Sequence, residues 1–464
     1  MKFLLIHPAS RKFELASKKF FSTVAFLPPL GILYLAKMLE INGHDVEVVD
    51  CTAEDISENK LKEKILSSDA VGMTIFSGPA ALNNSITISN LVKERDPAIP
   101  LLIGGPHCSS LPEQSLLSHH ADICVRGEGE LVIAPIAEAI EGKRELSTIP
   151  GIYYKEDNKI RKTEPAKQID DLDALPFPDR HLVNKYEYGF MQGVKIAKGK
   201  ATSLLASRGC PYHCKFCGLH SHISGYQRRS INNVTKEIQE IVDEGYTTLA
   251  FVDDNFLFQQ KEVEKIMDFI IQKEMNIRLW IEGARVDSAN RILFQKMRDA
   301  GVEILSFGIE SGNQDVLDFY NKRITLTQIR DAVNLGKEMG FFINATFILG
   351  APIETKKHIK NTIKFAKSLP LDGVGFYNLG YGFGAPLWKE AVEEGKIQPD
   401  EFFIGADSRR GLSNFTEEEL INYTMKAFNS YYFNPKLWMR ELFYAFANKD
   451  FRFLKLGLKM LTGS

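Results

Sequence analysis

Cys210, Cys214 and Cys217 stand close together in the run Arg208-Gly-Cys-Pro-Tyr-His-Cys-Lys-Phe-Cys-Gly218. Three thiolates at this spacing can each ligate one iron of a cubane cluster, leaving the fourth iron without a protein ligand. An open iron is a reaction site, whereas a cluster with four cysteine ligands mainly carries electrons. The competing chemistry is zinc, with His213, His220 or His222 as a fourth ligand. Structural zinc sites usually pair two short knuckles, and no second knuckle follows downstream. Thr202-Ser-Leu-Leu-Ala206 reads as a strand just before the cysteines, so they sit on a loop at its C-terminal end. Tyr212 and Phe216, between the ligands, would shield a cluster from water. The context favours iron and sulfide.

Strand and helix patterns that could position this loop alternate through the middle of the chain. Candidate strands are 202–207, 247–253, 277–282, 303–309, 342–349 and 373–378. Six strand–helix units suit a partial (β/α)6 barrel, where chemistry sits just past the strand C-terminal ends. The N-terminal part alternates in the same way. Lys2–Ile6, Asp45–Asp50, Ala70–Ile75, Pro100–Ile103 and Asp122–Val125 read as strands, with helical spacing over 29–39. This predicts a Rossmann-like, doubly wound α/β domain over 1–145. A hairpin and proline-rich linker follow over 146–195, then the barrel over 196–385 and a helical region over 386–464.

Composition sets bounds. The 464 residues, 44% hydrophobic and 25% charged with a net charge of -2, fit a globular protein of two or three domains. That charge gives no support for a nucleic-acid-coating surface. No run has a signal peptide's flanks or a membrane span's length. Three of the six cysteines lie in one cluster motif, which suits a reducing, cytoplasmic setting better than a disulfide framework.

The cysteine spacing resembles the radical S-adenosylmethionine (radical SAM) family. There the open iron chelates the methionyl amino and carboxylate groups, and an electron from the 4Fe–4S cluster cleaves the sulfonium to a 5′-deoxyadenosyl radical. The resemblance implies roles for residues after successive strands. Asp253 and Asp254 fall where the SAM amino group is held, with a helix N-cap by Asp254 or Asn255 as the ordinary alternative. Arg285 would pair with the methionyl carboxylate, and Glu310 with ribose hydroxyls or the amine. The segment containing Leu349, with Tyr212, Pro211 and Phe216, would border the adenosyl group. Tyr226, Tyr377 and Tyr381 are candidates for a substrate-side relay, or packing residues.

The glycine-bearing loops of the N-terminal part, with the run Pro28-Pro-Leu-Gly-Ile-Leu-Tyr-Leu-Ala36, resemble the cobalamin-binding domain of B12-dependent radical SAM enzymes. Ser77, Gly78, Gly104, Gly105 and Gly127 would then line the groove for the nucleotide tail, with His107 against the corrin or capping a turn. The Asp-x-His-x-x-Gly motif that many such domains use to ligate cobalt is absent. Cobalamin is thus an expected cofactor, without a histidine ligand from that loop.

The resemblance implies a C-methyltransferase or other carbon-skeleton-modifying enzyme. Its substrate would be a small or lipid-like metabolite, and its electron donor ferredoxin or flavodoxin. Two alternatives stay open. A methylthiotransferase would need a second cluster, for which Cys51, Cys108 and Cys124 are available; a non-catalytic module would bind only cobalamin or zinc. After residue 431, aromatic residues interleave with Lys436, Arg440, Lys449, Arg452, Lys455 and Lys459. Such a tail could contact a membrane surface or pack on the barrel with its lysines in water.

Overall fold

A computed structural model describes residues 1–8, 26–54, 56–76, 79–157, 159–223 and 225–462. The chain forms two compact units, one mainly from Pro28–Glu187 and the other mainly from Tyr188–His220 and Gly225 onward.

The first unit is built on a seven-stranded sheet. Its strands are Lys2–His7, Asp45–Asp50, Ala70–Thr74, Leu101–Gly104, Ile123–Val125, Ile152–Glu156 and Lys159–Lys162. In space they run second, first, third, fourth, fifth, sixth, seventh. The first five are parallel. Their near-continuous apolar runs fit strands covered by helices on both faces. Leu4, Ile6, Val71, Met73, Leu101 and Ile103 form the centre of one apolar cluster. Because the order reverses beside the first strand, a ligand crevice is expected at the strand C-terminal ends there. The hairpin expected in the connector instead pairs antiparallel with the fifth strand and so extends this sheet. Tyr154 and Ile152 are buried in that pairing, which is why the hairpin does not hang free.

The second unit contains six parallel strands: Ala201–Leu204, Thr248–Phe251, Arg278–Ala284, Val302–Glu310, Phe342–Leu349 and Gly373–Asn378. They pair in chain order, and the first does not pair with the last among the described residues. This is an open partial barrel. Its outer helices start on polar caps: Ser230 caps Ile231–Asp243, Asn290 caps Arg291–Asp299, and Thr325 with Gln328 makes a capping box for Leu326–Glu338. Among the described residues no helix is long and apolar enough to cross a membrane.

The chain ends in three helices, Glu417–Tyr432, Pro435–Asn448 and Arg452–Thr462. The first of them is bound to the last barrel strand, where the Tyr432 hydroxyl accepts from Val374 N–H at 2.9 Å and donates to its carbonyl at 3.0 Å. The Tyr431 hydroxyl donates to Leu371 O at 2.6 Å.

Candidate active site

The cysteine loop is fixed at both ends and along its length. Ser207–Gly209, just before it, pairs antiparallel with Tyr226–Arg228. Gly209 N–H donates to Asp254 Oδ2 at 3.0 Å. Within the loop, Lys215 N–H donates to the Tyr320 carbonyl at 2.9 Å, and Leu387 N–H donates to the Lys215 carbonyl at 2.9 Å. Asn321 Nδ2 donates to the His213 carbonyl at 2.9 Å. A loop held this way presents its ligands without first losing conformational entropy.

All three cysteines line a cavity of about 290 Å³ at the C-terminal ends of the barrel strands. Ligands of one tetrahedral zinc, with Zn–S near 2.3 Å, would lie about 3.8 Å apart. Among the described residues the three sulfurs are not gathered within even 4.8 Å of one another. His220 Nε2 is instead 2.9 Å from the Tyr212 carbonyl, and its ring stacks on His213 at 4.3 Å. Sulfurs so separated do not suit a single zinc ion, whereas three thiols on one loop suit separate corners of a cubane. Burial pushes the Cys217 thiol up to about 11 and raises Cys210 as well, so iron must displace protons when it binds.

The opposite wall comes from successive strands. The Arg285 guanidinium is bound to Asp287 at 3.0 Å and donates to the Lys322 carbonyl at 2.7 Å. The Tyr212 hydroxyl reaches the same aspartate at 3.3 Å. Phe216 packs edge-on to Tyr320 with ring centroids 5.1 Å apart. Glu310 ends the fourth strand with φ at 71°, in left-handed backbone that is rare away from glycine, next to a register shift after Gly308. Its carboxylate forms a buried ion pair with Lys322 at 2.8 Å.

Two further polar side chains, Glu282 and Asn344, face this cavity without a prominent sequence motif. Burial raises the Glu282 carboxyl to about 7; Ser306 Oγ donates to its Oε2 at 3.3 Å, and Oε1 has no hydrogen-bond partner. Asn344 Oδ1 is likewise buried without a partner. Unpaired polar atoms of this kind are costly inside a protein unless a ligand completes them. Ser306 and Asn344 lie at inward positions of apolar strands. Period-two polarity inside a buried strand was the available signal for them.

Other expected residues lie elsewhere. Asp253 is buried beside the cavity, not in its lining. It accepts from Ala206 N–H at 3.1 Å and from the Ser207 hydroxyl, so its carboxylate fixes the start of the cysteine loop. Leu349 packs in an apolar cluster with Tyr320, Leu379, Trp388 and Leu420, because its position on the strand turns it outward from the cavity. Tyr381 belongs to the same cluster and donates to Leu412 O at 2.7 Å. Tyr226 packs edge-on to Phe258 at 5.0 Å.

In the first unit, the strand C-terminal ends bring together His7, Asp50, Gly104 and the turn after Val125. His7 Nδ1 is 3.0 Å from Asp50 Oδ1, and its ring meets Phe76, which is 47% exposed. Gly105 has φ at 100°, and a Cβ there would lie 2.7 Å from Thr74 Oγ1. Gly127 has φ at 95°, with open space where a Cβ would be. Its N–H donates to Ser109 Oγ at 3.0 Å. His107 is buried, and desolvation lowers it to about 4, so it is neutral. Ser77 and Gly78 lie outside the described residues. The open corner at Gly127 beside an exposed aromatic ring fits a broad, flat, partly apolar group such as a corrin.

A doubly wound sheet with such a crevice, followed by an open barrel whose cavity gathers three loop cysteines, defines a radical SAM enzyme with a B12-type domain. The B12 binding domain family model matches residues 21–137, and the radical SAM superfamily model matches 204–366. The chain is 32% identical over 450 residues to an uncharacterized methyltransferase of Pyrococcus horikoshii, covering 96% of this chain and 95% of that one. It is 32% identical over 353 residues to the anaerobic magnesium-protoporphyrin IX monomethyl ester cyclase of Rubrivivax gelatinosus, covering 73% and 62% respectively. The methyltransferase TsrM of Kitasatospora setae, solved with cobalamin and a 4Fe–4S cluster bound, aligns with a TM-score of 0.69 at 18% identity, covering 85% of this chain and 78% of that one.

The chain belongs to the cobalamin-dependent radical SAM family and is a methyltransferase-like enzyme of that family. Its cofactors are a 4Fe–4S cluster, S-adenosylmethionine and cobalamin.

Proposed function

We propose that this enzyme C-methylates an unreactive carbon of a small or lipid-like metabolite, drawing electrons from a low-potential donor such as ferredoxin or flavodoxin. The supporting observation is one cavity shared by Cys210, Cys214, Cys217, Arg285, Glu282 and Asn344. When bound, the cluster supplies an electron to SAM and cobalamin supplies a methyl carrier. The chain's own residues bind and orient. Cys210, Cys214 and Cys217 hold three cluster corners. Arg285, whose Nε and Nη2 are held by Asp287, offers Nη1 to the methionyl carboxylate. Asp254 and Glu310 accept from the amine and ribose hydroxyls, while Tyr212 and Phe216 exclude water. Asn344 Oδ1 and Glu282 complete their hydrogen bonding on the ligand. In the first unit, Gly104 and Gly127 let the backbone approach cobalamin, and the tight turn at Gly105 shapes that loop.

A second-cluster methylthiotransferase is less well supported. Cys51, Cys108 and Cys124 are buried in the apolar core of the first unit, and the contact with Cys108 together with burial holds Cys124 well above the ordinary thiol range. Protein reconstituted anaerobically should hold about four irons per chain, and about eight would indicate two clusters. Reduced protein should convert SAM to 5′-deoxyadenosine, and Cys214→Ala should abolish this. With cobalamin and substrate present, label from methyl-labelled SAM should appear on carbon of the product. SAM cleavage with no label in any product would replace methylation by cyclisation or rearrangement.

A further inference from the structure

The outer face of helix Pro435–Asn448 is apolar. Met439, Leu442, Phe443 and Phe446 follow i, i+3, i+4, i+7 spacing and so form one stripe. Phe443 is 77% exposed, Phe446 68% and Met439 63%. The inner face of this helix is already satisfied, since Leu437 and Ala445 are buried. The stripe continues through the connection, where Phe446 meets Phe451 edge-on at 5.4 Å, onto the next helix, where Leu458 is exposed. The lysines are not what this pair chiefly shows to water.

Charge identifies the occupant. Both carboxylates of the segment, Glu441 and Asp450, are turned inward, the first beside Arg440 at 3.3 Å and the second beside Arg452 at 2.6 Å. The exposed charged residues over 433–461 are Lys436, Lys449 and Lys455. An apolar stripe whose own segment exposes only cations matches an anionic lipid surface, where aromatic rings enter the headgroup boundary and lysines meet phosphate. Among the described residues nothing covers these rings.

We infer that the last two helices dock this enzyme on anionic membranes, with Met439, Phe443, Phe446 and Phe451 inserted and Lys436, Lys449 and Lys455 at the headgroups. The surface lies apart from the residues lining the cluster cavity, so docking and SAM cleavage separate experimentally. Full-length holoenzyme is sedimented anaerobically with phosphatidylcholine vesicles with and without phosphatidylserine. It should pellet with the anionic vesicles, less so without phosphatidylserine or in high salt. The triple variant Met439→Ser, Phe443→Ser, Phe446→Ser should pellet roughly tenfold less, with 5′-deoxyadenosine formation unchanged. The pair Lys449→Glu, Lys455→Glu should remove the phosphatidylserine dependence. Equal recovery of wild type and both variants overturns the inference. So does a wild-type dimer that the triple variant converts to monomer without vesicles, because a second copy then covers the stripe.

Discussion

The Arg285 guanidinium lies 3.6 Å from the centre of the Tyr212 ring, and its Nη1 is 4.0 Å from Cys214 Sγ. One cation thus ties the cysteine loop to the end of the third barrel strand, with Asp287 fixing both Arg285 and the Tyr212 hydroxyl. A lysine keeps the charge but loses the planar stack and the fork.

Arg285→Lys should therefore raise the KM for SAM about tenfold or more, the cost of one charge-assisted hydrogen bond. KM for 5′-deoxyadenosine formation checks this, with iron content held as the control. Unchanged KM would assign Arg285 to loop packing alone.

Lys322 and Glu310 have side chains only 7% and 8% exposed. Removing one partner of such a pair leaves a buried charge, at a cost of about 3–5 kcal/mol. Lys322→Met should show this loss in urea unfolding of the apo-protein. The double variant Lys322→Met, Glu310→Gln should recover much of it, because no unpaired charge remains.

Glu354 accepts from Gly350 N–H at 2.6 Å and Ala351 N–H at 3.0 Å, and burial raises its carboxyl from 4.5 to about 7. The folded state therefore holds the proton more tightly than the unfolded chain. Its contribution to stability is full below about 4.5 and is lost as pH rises through about 7. That interval corresponds to about 3 kcal/mol. Glu354→Gln keeps an acceptor and cannot ionise. Its urea midpoint should exceed that of wild type by a margin that grows across this pH window.

At Gly105 an added Cβ would meet Thr74 Oγ1 at 2.7 Å and the Ile75 carbonyl at 2.9 Å, and φ at 100° strains any other residue. Gly105→Ala should lower cobalamin retained per chain, read from the visible spectrum. Reductive SAM cleavage should persist, because the cluster and its cavity belong to the other unit.

The sequence by itself determined the two α/β units, five of the N-terminal strands, the six barrel strands to within a few residues, and the loop that brings three cysteines to one cavity. Those signals are local: apolar runs of strand length, helix caps, and ligands spaced within one loop. Tertiary structure decided which face each strand residue takes and what surrounds it. Asp253 and Asp254 are neighbours in sequence and both hold the loop, yet only Asp254 also lines the cavity. Leu349 turned into the core while Glu282 and Asn344, on buried strands, turned into the cavity. The hairpin at 152–162 joined the first sheet, and the outer face of Pro435–Asn448 stayed uncovered. The physical reason is that burial and partner choice depend on elements distant in the chain, and no local spacing encodes them.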